Sequence, residues 1–239
     1  MDKMLADHPL NARLNNFKYG FSCRLDGSLH LFRESDRRRQ YFHSLGIDSA
    51  DLVAADLAHG RRVAPVTREQ GGGFIATTDA LITATPGLFL SSTAADCFLV
   101  YLFDPQRGAS GIIHAGWRGV LSKIIANTVE AMASLYALNS ALLLAIISPG
   151  IRRCHFEISP SDLERYADYP ESLVLRSGRI YIDLAGIIKR QLKEQGLKEE
   201  NIADSGECTY CLKDKYYSFR RDKSDPLEVM AGYIGYLGR

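Results

Sequence analysis

The chain is short of long apolar runs. No stretch approaches the roughly 20 consecutive apolar residues of a membrane-spanning helix, so no membrane span is expected. Cysteine is also scarce: five among 239 residues, an odd and sparse set, do not make a disulfide framework. Excess charge is missing, because 29 basic and 28 acidic residues leave a formal charge of +1 and no general attraction to nucleic acid or anionic membrane. Repeats, low-complexity tracts and linkers are absent. Gly71-Gly72-Gly73 is followed at once by strand-like Phe74-Ile75-Ala76 and reads as a mobile loop inside one domain, 1–239. The N-terminal MDKMLADHPL lacks the apolar centre of a signal peptide, which predicts a cytoplasmic protein with reduced thiols available as ligands or nucleophiles.

What is present is an ordinary globular composition, 46% hydrophobic and 24% charged, long enough to bury a substantial core. Helical periodicity is clearest after Gly119, where Leu121, Ile124, Ile125, Thr128, Val129, Met132 and Leu135 share a face. A second helix is predicted over 183–195, with Leu184, Ile187, Ile188 and Leu192 inward and Gly196 as its stop. A third is predicted over 34–45, where Arg37-Arg38-Arg39 reads as a solvated basic face. Strands are predicted at 52–55, 61–66, 80–84, 88–91, 98–103, 109–114, 142–148, 172–176 and 179–182. Several look like hairpins and strict βαβ alternation is lacking, which favours a layered α+β architecture over a doubly wound sheet.

Residues 91–119, SSTAADCFLVYLFDPQRGASGIIHAGWRG, concentrate the candidate chemistry. Two apolar runs, 98–103 and 109–114, flank the turn-forming Asp104-Pro105-Gln106-Arg107-Gly108. A hairpin centred near Gln106 sets residue 98 opposite residue 114 and brings Cys97 within side-chain reach of His114. On these residues alone the pair is open to three readings: a nucleophile with its base, two metal ligands, or ordinary buried side chains. The glycines of Ala115-Gly116-Trp117-Arg118-Gly119 allow a tight turn into the following helix, whose free N–H groups suit an anion. Arg118 adds a fork suited to phosphate or carboxylate, and Trp117, the only tryptophan, offers a surface for a planar ligand.

Thr93-Ala94-Ala95-Asp96-Cys97 with His114-Ala115-Gly116-Trp117-Arg118-Gly119, SPGIRRCHFEIS (148–159), CTYCLKDKYYSFRRD (208–222) and AHGRRV (58–63) occur here in order. From about Tyr19 onward the chain thereby resembles the YfiH-like, laccase-domain family of purine nucleoside phosphorylases. The resemblance implies an α+β, four-layer α/β/β/α fold with mixed sheets packed face to face. It also implies a metal, usually zinc, held by His59, Cys97 and His114. Three such ligands leave a fourth tetrahedral position for water or substrate, the layout of a catalytic zinc site that lowers the pKa of bound water towards about 7.

The activities implied are phosphorolysis of adenosine, inosine, guanosine and methylthioadenosine, and deamination of adenosine. Arg118 is the candidate for phosphate, Trp117 and Arg220 for substrate contact, and Asp96 for proton transfer or support of the metal, or else for local turn bonding. Small-molecule nucleoside and phosphate are the expected partners, with the chain a monomer or homodimer. The sequence departs from the family at Leu57, where glutamine is usual, in the shortened GFSCRLDGSLHLF, and in SDPLEVMAG, which replaces Thr-Gly-Arg before the last strand.

Two other chemistries compete. A multicopper oxidase site draws on many histidines, often as His-X-His, and six histidines with no such pair do not supply it, although a single copper suits the same three ligands. A metal-free Cys97–His114 hydrolase, such as an amidase editing cell-wall precursors, needs only an activated thiolate. Cys208-Thr209-Tyr210-Cys211 has metal or redox spacing and reads as structural; closing a zinc site there takes two more ligands, with Cys23, Cys154 and His155 the uncommitted candidates. Cys154-His155 reads as a buried loop pair, and Phe219-Arg220-Arg221 as substrate contact or a surface strand with solvated arginines.

Overall fold

The computed structural model describes residues 8–238. Residues 1–7 and 239 lie outside the described residues, and with them most of the N-terminal segment behind the cytoplasmic expectation.

Two mixed sheets face each other. The five-stranded sheet runs Phe17–Phe21, Met230–Tyr236, Phe89–Ala94, Leu52–Ala55 and Phe74–Ile75; the six-stranded sheet runs Ile202–Asp204, Leu144–Ile147, Phe98–Asp104, Ala109–Ala115, Ala80–Thr83 and Val63–Pro65. Strand Phe98–Asp104 is buried along its whole length, because both its faces are covered. Leu99, Tyr101 and Phe103 meet Leu90, Val53 and Ile234 between the sheets. The alternate residues Phe98, Val100 and Leu102 meet helices Ile124–Tyr136 and Leu184–Glu194 on the other side. Helix Ser35–Ser44 covers the outer face of the five-stranded sheet, with Phe42 against Phe89 and Tyr233. The result is the expected α+β order of helix, sheet, sheet, helices. A small sheet of Glu157–Ile158, Arg179–Ile182 and Leu173–Arg176 lies alongside.

The hairpin forms with a register one residue away from the expected one. Leu99 pairs with His114 and Phe98 with Ala115, because Asp104 pairs with Ala109 and the loop between them has an even number of residues. Asp104 sets that loop: its Oδ1 accepts the amides of Gln106 at 2.8 Å and Arg107 at 3.1 Å, and Gly108 turns at φ +67°. Cys97 still leaves the strand at the His114 end.

Other expectations are corrected. The periodic segment after Gly119 is two helices, Trp117–Leu121 and Ile124–Tyr136, broken where Lys123 takes φ 66°. Leu135 is 57% exposed and not on the inner face. Arg38 is buried, unlike its neighbours: its guanidinium donates to Leu29 O at 3.1 Å and Ser91 Oγ at 2.6 Å and lies over the Phe42 ring. Gly71–Gly73 is tied down, since Gly72 N donates to Leu52 O at 3.0 Å and Ala54 N to Gly73 O at 3.1 Å. A side chain at Gly71 would collide with the Ala50 carbonyl, so these glycines serve close backbone approach. Arg220 and Arg221 belong to a short helix, Phe219–Asp222, and not to a surface strand.

Candidate metal centre and substrate cavity

Two connections between the facing sheets carry His59 and Cys97. His59 lies between Leu52–Ala55 in one sheet and Val63–Pro65 in the other; Cys97 lies between Phe89–Ala94 and Phe98–Asp104. Both crossings occur at the end of the sandwich where His114 closes its strand. One donor atom from each of His59, Cys97 and His114 lies within 4.8 Å of the other two. The imidazole rings of His59 and His114 meet edge to face, with centroids 4.7 Å apart.

Asp79, which the sequence reading did not single out, holds this arrangement together. It is 1% exposed. Its Oδ1 lies 2.9 Å from His114 Nδ1 and accepts His59 N at 2.8 Å, while Oδ2 accepts Gly60 N at 2.7 Å. Its main-chain carbonyl also accepts His114 N at 2.7 Å. These amides fix the tight loop in which His59 takes φ 58°. With Nδ1 committed to Asp79, His114 presents Nε2 to the cluster, the usual carboxylate–histidine support of a metal ligand.

The electrostatics agree. Burial by itself would raise the Asp79 carboxyl pKa, but hydrogen bonds from His114 and the two amides hold it below the ordinary value. Burial opposes a charge on His114, yet Cys97 and Asp79 push its pKa up to about 9. Partial desolvation and then the neighbouring His114 lower the pKa of His59, favouring its neutral, ligating form. Gly116 completes the cradle: a Cβ there would stand 3.0 Å from Cys97 Sγ and 3.7 Å from His114 Nε2. Two imidazoles and one thiol so arranged fit a zinc or copper ion.

The cluster opens into a cavity of about 560 Å³, within the range of small-molecule sites. Its walls include Ile151, Phe156 and Leu184, and Arg118 and Arg220 stand at its edge. Arg118 makes no hydrogen bond or ion pair among the described residues; its guanidinium lies 4.6 Å from the Trp117 ring centroid, and that of Arg165 lies 5.1 Å from it. Arg220 donates its Nη1 to Glu157 O at 2.9 Å. The departures from the family pattern converge here too, since Leu57, His30, Phe32, Leu227 and Val229 all line the cavity.

Asp96 sits beside Cys97 in the cavity lining, with its carboxylate committed to other partners. Its carboxylate accepts Thr209 Oγ1 at 2.6 Å, Ser218 Oγ at 3.0 Å and Arg220 N at 2.7 Å. These partners are remote in sequence, so the bonding is not local to the turn: Asp96, at φ 85°, anchors the Cys97 loop to the C-terminal part of the chain. Arg221 is likewise committed, donating to the carbonyls of Thr209, Tyr210 and Tyr216 at 2.7, 2.8 and 2.7 Å.

Residues 33–236 match the family model described as multi-copper polyphenol oxidoreductase laccase. The chain belongs to this family. Among similar proteins, a purine nucleoside phosphorylase of Deinococcus radiodurans is 33% identical over 190 residues, covering 79% of this chain and 72% of that protein. The adenosine deaminase RL5 of an unknown prokaryotic organism is 29% identical, covering 79% of this chain and 77% of its own. The crystal structure of the Bacillus licheniformis hypothetical protein YfiH superposes with a TM-score of 0.85 at 26% identity, covering 95% of this chain and 94% of that one. No helix among the described residues is long and apolar enough to cross a membrane.

Proposed function

We propose that this laccase-like chain, as one domain over 1–239, is a zinc-dependent purine nucleoside phosphorylase that also deaminates adenosine. The observation that carries the reading is the convergence of His59, Cys97 and His114 on a cavity also lined by Arg118, a cation without an ion pair among the described residues. The names of the relatives supply the substrate class.

In phosphorolysis the C1′–N9 bond of the nucleoside breaks, a bond from C1′ to a phosphate oxygen forms, and the departing purine takes up a proton. Arg118 is free to pair with the phosphate, through a planar fork that matches its oxygens. Trp117, which lines the cavity, positions Arg118 through ring contact, and with Phe156 it offers apolar surface to the purine. Because helix Trp117–Leu121 has only five residues, the anion subsite rests on side-chain charge more than on a long helix dipole. Asp79 holds the His114 Nδ1 proton, and Asp96 positions the Cys97 loop and Arg220. A zinc ion held by His59, Cys97 and His114 supplies Lewis acidity towards a nucleophile or leaving group.

Cys97, His114 and Asp79 also stand in the order nucleophile, base and orienting carboxylate, which supports the metal-free hydrolase as the second reading. Product analysis on adenosine separates these functions. Adenine released only in the presence of phosphate supports phosphorolysis, and inosine formed without phosphate supports deamination. Neither product from the metal-loaded protein, with amide hydrolysis surviving complete chelation, replaces the reading by the thiol mechanism.

A further inference from the structure

A second cluster stands outside the mechanism just described. Cys154, His155, Cys208 and Cys211 each place one donor atom within 4.8 Å of the others. They come from two loops that the fold joins directly. Gly150 bridges to Cys208 in parallel, with Thr209 N donating to Gly150 O at 3.2 Å and Arg152 Nε to Glu207 O at 3.1 Å. We infer that these four side chains form a second metal site, a closed Cys₃His centre for zinc that is independent of the proposed active site.

The distances suit the ion. A zinc–sulfur bond of about 2.3 Å at the tetrahedral angle separates two sulfurs by about 3.8 Å, and a sulfur from an imidazole nitrogen by about 3.5 Å. Here Cys154 Sγ lies 3.6 Å from Cys211 Sγ, and Cys211 Sγ lies 3.2 Å from His155 Nδ1. The imidazole is aimed by stacking on Tyr210, with centroids 4.0 Å apart and planes 15° apart. Cys208 Sγ accepts the amide of Arg152 at 3.5 Å, which fixes the thiol on the side of the other loop. Arg221 grips the carbonyls of Thr209 and Tyr210, the two residues between the cysteines. Three thiols with one imidazole is a soft set that favours zinc over magnesium or calcium, and four protein ligands close the tetrahedron, as in structural sites.

The position gives the ion a task. Thr209, inside the Cys208–Cys211 knuckle, donates to Asp96, the neighbour of Cys97. Ile151 N, on the other loop, donates to Asp96 O at 2.8 Å, and Ile151 and Phe156 form part of the cavity wall. Zinc joining the two loops would therefore stiffen the wall of the active-site cavity from behind.

Metal counting on the full chain, purified under reducing conditions with zinc supplied, tests the inference. The unmodified chain is expected to hold two zinc ions. The His59→Ala/Cys97→Ser variant should retain one, and Cys154→Ser/Cys211→Ser should lose one. With cobalt as probe, the ion retained by His59→Ala/Cys97→Ser should give a thiolate charge-transfer band roughly three times as strong per metal as the ion left in the other variant, three sulfurs against one. A folded His59→Ala/Cys97→Ser protein without bound metal overturns the inference, as does a Cys154–Cys211 disulfide in the unmodified chain after purification in reductant and zinc. If the Cys154→Ser/Cys211→Ser protein does not fold, the His59→Ala/Cys97→Ser count alone decides. Because no nucleoside assay enters, failure here leaves the proposed activity standing.

Discussion

The two cysteine–histidine clusters of this molecule use similar donors in opposite settings. His59, Cys97 and His114 sit beneath a cavity of about 560 Å³, two of them on connections between the sheets and one backed by a buried carboxylate. Cys154, His155, Cys208 and Cys211 close on one another between two cross-linked loops, with Cys211 exposed. Three donors facing space leave room for a reactant, whereas four donors facing each other leave none. The difference teaches that ligand count and surroundings, more than ligand type, separate a reactive centre from a clamp. It also predicts that damage on the cavity side moves catalysis most, while damage on the other side moves stability most.

The largest of these effects short of removing a ligand is expected at Asp79. Asp79→Asn weakens metal affinity or kcat/KM by about 10–100-fold, measured by metal titration and phosphorolysis assays, because His114 loses the carboxylate that fixes its tautomer. A matching loss in the closed cluster would break the comparison. There, Cys208→Ser is expected to lower the Tm of the zinc-loaded protein by on the order of 5 °C, read by scanning calorimetry.

Leu57→Gln, at the cavity rim, is expected to shift the kcat/KM ratio towards adenosine and away from methylthioadenosine by about 10-fold or less. The smallest effect lies at the Arg152–Asp204 pair, 2.5 Å apart behind the closed cluster. Burial would raise the Asp204 carboxyl pKa, but Arg152 holds it below the ordinary value. Its stabilisation is therefore complete above an unfolded pKa of about 4 and is lost as pH falls through the lower folded value. Arg152→Gln should narrow the difference in urea midpoint between pH 7 and pH 3 by an amount worth less than about 1 kcal/mol.

The hairpin was legible because two continuous apolar runs flank a turn that Asp104 and Gly108 enforce. The short-range pattern placed Cys97 beside His114 even with the register shifted by one. Asp79 left no such mark. It is one aspartate after a threonine, and its role arises only when Ala80 pairs with Ile113 in the adjacent strand, a contact that spacing along the chain does not contain. Strand Met230–Tyr236 was visible only through the family resemblance, since Gly232 and Gly235 interrupt its apolar run. Those glycines are required by packing: a side chain at Gly232 would occupy the space of Leu99 and the Tyr101 hydroxyl. Arg38 looked like one of three solvated arginines, although Phe42 one turn later marks the buried face it shares.

The proposed active site stands most directly on Cys97. Metal content and adenosine phosphorolysis should be measured together on Cys97→Ala and the unmodified chain. Loss of one metal equivalent together with loss of phosphate-dependent adenine release is the predicted result. A Cys97→Ala protein that keeps its full metal content and full activity would contradict it.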